Sequence, residues 1–447
     1  MTKTKKVYVE NYGCTSNRHD LEIMLGLLKQ AGHRIVTAPS QSDVVIINSC
    51  AVKEATQNRM LHRIASMRGK PLIISGCLPK IDLKSIEQVA PDYYAVMDPQ
   101  SITEISSIVE HADQTTRNLR YFSDKPPVKP TLPKIRLNPF IETIQIAEGC
   151  LGDCSYCCAK FARGRLSSFP STLIVERVID AISNGAQEIW LTAQDTGAYG
   201  KDSNTDLPDL LKRLIQIDGD FKIRLGMMNP NYAITMLDDL CDIINTSRMF
   251  KFLHIPIQSG SNKILKDMNR NYQTEQFTDL VKTLRSRIPN LTLSTDIIVG
   301  YPTETEKDFQ ATINLLEETR PDVTNISKYG SRPRTLAAQM NPLPPNIIIE
   351  RSKRTSVICS KISLESNQRM IGKIQEISIT DTAKEGKPVG RTDNYKKVII
   401  NERLQLGTKT RVEVTKASSR YLEATALDHS GQQNSCTLNA TLKTVQY

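Results

Sequence analysis

The chain is predicted to be an α/β protein in three parts: an N-terminal parallel-sheet domain, a central partial TIM-like barrel of six strand–helix units, and a small C-terminal OB-like β-barrel. Three observations predict this. Short apolar runs alternate with helical patterns up to residue 122 and again, six times over, from residue 141, which is how parallel βα units are written. Five short strand patterns separated by turns follow residue 369, as in a small closed barrel. Proline clusters at 126–139 and 342–345 separate the three patterns.

In residues 1–122 the runs VYVENYG, DVVIINS and PLIISG read as strands, with helices near Asn17 to Ala31 and Val52 to Met67. Helices are expected on both faces of this sheet. Cys14, Cys50 and Cys77 each follow one of the strands. Loops at the carboxyl ends of parallel strands share one edge of a sheet, so three thiols far apart in sequence are expected to converge there. We read them as a three-cysteine cluster site, with chance placement as the alternative. Residues 123–140 carry prolines at 126, 127, 130, 133 and 139 and read as an extended linker marking a domain boundary.

Residues 141–345 supply the strands TIQIAE, EIWLTA, KIRLGM, KFLHIP, LTLSTDIIVG and VTNISKYG. Such barrels place active groups at the carboxyl ends of their strands. The first of these loops holds Cys150, Cys154 and Cys157 as Cys-x3-Cys-x2-Cys, with Tyr156 before the last thiol. Soft thiolates select zinc, Cu(I) or iron–sulfur clusters, and a structural zinc or an electron-carrying cubane takes four protein ligands. Three ligands suggest a four-iron cluster with one iron open to a small molecule's amino and carboxylate groups. Scattered core thiols or half a zinc site are the plain alternative, but no Cys-x2-Cys or His-x3-His pair elsewhere completes a tetrahedron. Cys158 then reads as a small buried hydrophobe.

Residues 346–427 begin with a helix near Ile347 to Asn367 and continue with the five barrel strands; residues 428–447 form a polar tail. The chain has 447 residues, 58 Lys and Arg against 48 Asp and Glu, and a net charge of +10. Most of the excess, about seven charges, falls between Asn346 and Leu427. A basic barrel of this kind usually faces a nucleic-acid backbone, although lysines on solvent-facing strands look the same in sequence. No apolar run reaches 18 residues and the N-terminus lacks the apolar core of a signal peptide. A cytoplasmic protein with no membrane partner is expected, its ten cysteines serving as ligands and buried thiols rather than disulfides.

Together, NYGCTSNRHD, INSCAV, SGCLPK, EGCLGDCSYC, LTAQDTGAYG, PIQSGSNKILKDMNRNY and DIIVGYPTET resemble the methylthiotransferase family of radical S-adenosylmethionine (SAM) enzymes from about Lys6 to Leu427. The C-terminal barrel, with GRTDNYKKVII, looks like the TRAM domain by which these enzymes hold RNA. CSYCCAKFARGRLSS and TAQDTGAYG are most similar to the archaeal and eukaryotic branch, although a cysteine at 158 departs from the usual pattern. The resemblance implies two 4Fe-4S clusters and SAM as cofactors. Cys14, Cys50 and Cys77 would hold the auxiliary cluster, and Cys150, Cys154 and Cys157 the SAM-cleaving one. It implies addition of a methylthio group to carbon 2 of N6-threonylcarbamoyladenosine at position 37 of tRNA. Bacterial relatives act instead on isopentenyladenosine in tRNA or on a ribosomal-protein aspartate. A non-catalytic iron-sulfur RNA-binding protein is the reading from another class. The implied partners are tRNA, a one-electron donor protein and a sulfur source, with no DNA.

The clusters would carry the chemistry, so no side chain is singled out as catalytic. Candidate SAM contacts are Gln194 and Asp195 after the second barrel strand, Gln258 and Ser259 after the fourth, and Asp296 and Gly300 on the fifth; loop capping is their plain role. Arg163 and Arg165 suit a phosphate or the substrate's carboxylate, or equally a surface salt bridge. Cys241 and Cys359 read as core residues, Cys436 lies in the tail, and His254 reads as a hydrogen-bonded barrel residue.

Overall fold

The computed structural model describes residues 4–67, 69–383 and 385–427; the polar tail and Cys436 lie outside the described residues. The N-terminal part runs β1 (Lys6–Asn11), α1 (Thr15–Gln30), β2 (Arg34–Val36), β3 (Val44–Ser49), α2 (Glu54–Ala65), β4 (Leu72–Gly76), α3 (Leu78–Ile81), α4 (Leu83–Val89), β5 (Ala95–Met97), α5 (Ile105–Glu110) and β6 (Leu119–Tyr121). The six strands form one sheet in the order β2-β1-β3-β4-β5-β6, and every pairing is parallel. All six residues of β3, VVIINS, are buried, as expected for a central parallel strand covered on both faces. Alternation assigns the faces. Val7, Val9 and Ile46 pack with Leu21, Met24 and Leu28 of α1 and Ile105 and Ile108 of α5. Tyr8, Val45 and Ile47 pack with Met60 and Ile64 of α2 and with Leu78 and Ile86 on the other side.

The proline-rich stretch is extended apart from a 3₁₀ turn at Lys129–Thr131, but it is no free spacer. It crosses α1 so closely that a Cβ on Gly26 would stand 2.3 Å from the Pro133 carbonyl oxygen. Ile135 N–H donates to Glu22 O (2.9 Å), and Lys129 is 1% exposed. Proline supplies the extended conformation, while the lysines between the prolines anchor the strap to the interior.

The central part comprises β7 (Ile141–Gln145), β8 (Ala147–Glu148), α6 (Ala159–Arg163), β9 (Ser167–Ser168), α7 (Ser171–Ser183), β10 (Glu188–Thr192), α8 (Leu207–Leu214), β11 (Lys222–Arg224), α9 (Pro230–Thr235), α10 (Leu237–Ile244), β12 (Phe252–His254), α11 (Asn262–Asp267), α12 (Thr274–Arg287), β13 (Thr292–Val299), α13 (Glu306–Thr319) and β14 (Val323–Lys328). Two parallel triplets, β7-β10-β11 and β12-β13-β14, are joined by bridges at Ile223 with Met249 and Met227 with His254. The result is an incomplete six-stranded barrel. Ile189, Leu191, Ile223, Leu253, Leu293 and Ile297 point outward into the helix layer. Trp190, Arg224, Phe252 and Asp296 alternate with these residues and take the inner side.

α14 (Pro345–Gln368) leads into β15 (Ile374–Thr382), β16 (Pro388–Arg391), β17 (Lys397–Ile400), β18 (Lys409–Ala417) and β19 (Leu422–Ala426), closed in the order β15-β16-β17-β19-β18. The turn after β16 inserts Tyr395 beside Phe250 (4.9 Å between ring centroids), Phe252 (5.0 Å) and Trp190 (6.3 Å). Lys396, one of the barrel's basic residues, is buried and donates to Asn367 Oδ1 (2.8 Å) and Ser366 Oγ (3.0 Å). The DNYKK segment therefore docks the small barrel onto the amino-terminal end of the central one.

Candidate functional site

At the carboxyl ends of β1, β3 and β4 the register sets Asn11 beside Asn48 and Asn48 beside Ser75. These residues lock the three strand ends together: Asn48 Nδ2 donates to Asn11 Oδ1 (2.8 Å), and Ser75 Oγ to Asn48 Oδ1 (3.3 Å). Beyond them the chain reaches Cys14, Cys50 and Cys77 at the same edge. Gly13 has φ +122°, and a Cβ there would lie 2.8 Å from Cys50 Cβ, so glycine lets the Cys14 loop pass against Cys50. Cys77 N–H donates to Ser49 O at 3.0 Å. Buried Asn17 ties the loops together: its Nδ2 donates to Ser49 O (2.7 Å), and its Oδ1 accepts from Cys14 Sγ (3.3 Å) and Arg163 (3.3 Å).

The second thiol loop leaves β8 through Gly149, at φ +78°, where a Cβ would meet Arg165 O at 2.0 Å. Gly149 N–H donates to Gln194 Oε1 (2.7 Å), while Gln194 Nε2 reaches Ser16 Oγ on α1 (3.3 Å). Gly152 N–H donates to Cys150 Sγ, and Arg270 Nη1 to Cys154 Sγ, each at 3.2 Å. Arg270 also bonds Asn229, which in turn bonds Asp195, a carboxylate 1% exposed. Burial raises the Asp195 carboxyl above its ordinary range. Arg270 was not singled out in the sequence; it lies in the MNRNY stretch, whose plain reading is a turn after α11.

Each thiol group thus has its own arginine. Arg163 is neither a surface residue nor available to substrate, contrary to both sequence readings: it is 2% exposed and pairs with Asp20 (2.7 Å) and Glu148 (3.0 Å). Lys129 of the strap pairs with the same two acids, at 2.7 Å each. Two buried cations and two buried anions therefore join α1, the strap, β8 and α6. Arg165 is exposed. Cys158 is 3% exposed, and its Sγ donates to Ala51 O at 3.4 Å, beside the Cys50 loop.

Among the described residues no three Cys, His, Asp or Glu side chains close around a single metal ion. The donors at each loop are nevertheless those a thiolate-held cluster needs. There are three thiols per loop set, backbone N–H and guanidinium groups aimed at sulfur, and glycines where a side chain would intrude. Burial pushes the Cys50 and Cys150 thiols up to about 12, so a metal bound there would displace protons from neutral thiols.

A cavity of about 760 Å³ borders both the segment after Cys50 and the loop that holds Cys157. Its walls are the segment after Cys50 (Val52 to Asn58), the loop from Tyr156 to Ala159, and the ends of β12, β13 and β14. Gln258 and Asp296 line it. Gln258 is held at φ +73° by backbone bonds to both sides of Ile297. Asp296 accepts from His254 Nε2 (2.8 Å) and Asn325 Nδ2 (2.9 Å). Burial would raise its carboxyl, but the His254 bond prevails and holds it below the ordinary value. The other four candidate SAM contacts do not line it. Gln194 holds the Cys150 loop, Asp195 braces Asn229, Ser259 Oγ bonds the Ser261 N–H (3.2 Å), and Gly300 packs under Ile348 of α14.

Family models match three stretches: the radical SAM superfamily over residues 144–316, uncharacterized protein family UPF0004 over 6–98, and the TRAM domain over 368–427. The chain is 42% identical over 426 residues to the probable threonylcarbamoyladenosine tRNA methylthiotransferase of Pyrococcus horikoshii, covering 93% of this chain and 98% of that one. It is 35% identical over 458 residues to the threonylcarbamoyladenosine tRNA methylthiotransferase of Drosophila melanogaster, covering 99% and 81%. Among solved structures, the radical S-adenosylmethionine methyltransferase TsrM of Kitasatospora setae, with tryptophan and a SAM analog bound, shares the fold. The match has a TM-score of 0.55 at 14% identity and covers 75% of each chain.

Proposed function

This chain belongs to the threonylcarbamoyladenosine tRNA methylthiotransferase family, and we propose that it converts N6-threonylcarbamoyladenosine at position 37 of tRNA to the 2-methylthio derivative. One observation carries the reading: a single cavity is walled on one side by the residues that follow Cys50 and on the other by the loop that ends in Cys157. Carbon 2 of adenine bears a C–H bond that no side chain of ordinary pKa can functionalise, so the reaction calls for cofactors that meet at one substrate. Cys150, Cys154 and Cys157 would hold the SAM-binding 4Fe-4S cluster and Cys14, Cys50 and Cys77 the auxiliary one; when bound, they supply one-electron reduction of SAM and the transferable sulfur.

The protein's own residues supply placement. Arg270 and Arg163 offset thiolate charge at Cys154 and near Cys14 and Cys77, and the buried Asp20–Arg163–Glu148–Lys129 cluster fixes one thiol site against the other. Gln258 and Asp296, steadied by His254, would face SAM across the cavity, while Gln194 and Asp195 hold the Cys150 loop and the Asn229–Arg270 pair in place. We assign residues 1–122, 141–345 and 346–427 as auxiliary-cluster, radical SAM and RNA-holding units, with 123–140 as the strap. Lys373, Arg403, Lys416 and Arg420 are exposed on the small barrel and suit an RNA backbone. Among the described residues no helix is long and apolar enough to cross a membrane, and the proposed setting is the cytoplasm. A one-electron donor protein and a sulfur source complete the proposed partners.

Cys77→Ala tests the division of labour. The methylthio product is expected to vanish while SAM-derived 5'-deoxyadenosine persists; equal loss of both would contradict it.

A further inference from the structure

Arg332 is 5% exposed and lines the cavity, yet among the described residues it has no acidic partner. Its Nη1 donates to the neutral amide of Gln57 (2.7 Å), and Gln57 Nε2 donates onward to Asp82 Oδ2 (2.7 Å). The carboxylate thus stands one side chain behind the guanidinium. Among the described residues, every other arginine buried to this degree is matched by acid: Arg163 by Asp20 and Glu148, and Arg351 by Glu304 (2.7 Å). A buried cation without a counter-charge is costly unless something supplies one.

The surroundings add to this. Lys53 and Lys328 line the same cavity, are exposed, and form no ion pair among the described residues. Of the two acids on the wall, Asp296 is taken up by His254 and Asn325, and Glu54 turns toward Gly330. The cavity therefore presents three cations, Arg332, Lys328 and Lys53, against two carboxylates, Asp296 and Glu54, to whatever fills it. An adenine ring carries no negative charge. A threonylcarbamoyl group does, in its terminal carboxylate, and an isopentenyl group does not.

We propose that Arg332, with Lys328 and Lys53 at the rim, is the carboxylate-recognition subsite of this cavity and selects threonylcarbamoyl over uncharged N6 substituents, an inference that rests on the proposed substrate. Arginine suits the role because its planar fork meets a carboxylate with two parallel hydrogen bonds. The bond to Gln57 uses one Nη1 donor of an arginine that lines the cavity.

The test uses the full-length protein and two synthetic anticodon stem-loops that differ only in the threonine terminus, one the free acid and one its primary amide. Binding is followed by fluorescence anisotropy, and turnover by nucleoside mass spectrometry. Wild type is expected to favour the acid. Arg332→Gln is expected to weaken the acid about thirtyfold or more, the lower end for breaking a buried charged pair, and to leave the amide nearly unchanged. Arg332→Lys should restore part of the preference. Should Arg332→Gln not fold, the exposed pair Lys53→Gln and Lys328→Gln provides the same comparison with a smaller loss. Equal weakening of both stem-loops, or wild-type indifference to the amide while the acid is still methylthiolated, overturns the subsite. Failure of wild type to modify either stem-loop overturns the substrate reading instead.

Discussion

Arg163 Nη1 lies 2.7 Å from Asp20 Oδ2, and both residues are buried to within 2%. Arg163 ends the helix that follows Cys157, and Asp20 sits on the helix that starts behind Cys14, so this contact spans the two thiol sites. With Lys129 and Glu148 it turns two domains and a strap into one charge-balanced unit.

Breaking that unit leaves an uncompensated buried charge. Asp20→Asn is expected to cost about 3–5 kcal/mol. Chemical denaturation should show the loss, and limited proteolysis should open the strap near Lys129. A midpoint unchanged from wild type would remove the network from the account.

His19 predicts a pH dependence. Burial, followed by the nearby Lys134 and Lys129 charges, holds its folded pKa well below 6.5, and its Nδ1 donates to Thr143 O at 2.7 Å. Below pH 6.5 the unfolded chain takes up a proton that the native imidazole refuses, so stability falls as pH drops and is flat in this term above 6.5. The slope from this group is at most about 1.4 kcal/mol per pH unit. Denaturation midpoints between pH 7.5 and 5.5 check it, and His19→Asn should flatten the profile by that share.

Arg270→Gln removes a cation and a hydrogen bond from the Cys154 sulfur. Less positive charge and fewer donors at a cluster disfavour its reduced form, so the midpoint potential of the SAM-binding cluster should move negative. An EPR-monitored redox titration reads this directly. A cluster at Cys14, Cys50 and Cys77, the auxiliary site we propose near Arg163, should not shift.

Tyr395→Ala empties the aromatic seat formed by Phe250, Phe252 and Trp190. A loss of about 3–5 kcal/mol is expected at the docking surface. SAM cleavage without RNA should survive, whereas product formation on tRNA should fall. Unimpaired tRNA turnover would show that the small barrel need not be held in this pose.

Much of the molecule was legible from spacing. The three strand-end cysteines and the Cys150 loop needed only the period of the strands and the rule that sites gather at their carboxyl ends. Charged residues were harder to read. Lys129, Lys396 and Arg163 look like surface charges in sequence because nothing local shows the partners that cancel them, which come from distant elements. Arg270 and Arg332 were missed for the same reason: each sits in an ordinary loop, and its neighbours at the site are Cys154 and Gln57, 116 and 275 residues away. Among the SAM candidates, position after a strand did not separate Gln258, on the cavity wall, from Ser259, which does not line it, since adjacent residues in a turn face opposite ways.

The most direct measurement is mass spectrometry of nucleosides from tRNA incubated anaerobically with the reconstituted protein, SAM, sulfide and a reductant. The account predicts a 2-methylthio-N6-threonylcarbamoyladenosine peak that is absent with Cys154→Ala. Unchanged tRNA alongside robust 5'-deoxyadenosine release would contradict it and move the substrate to another nucleoside or to a protein.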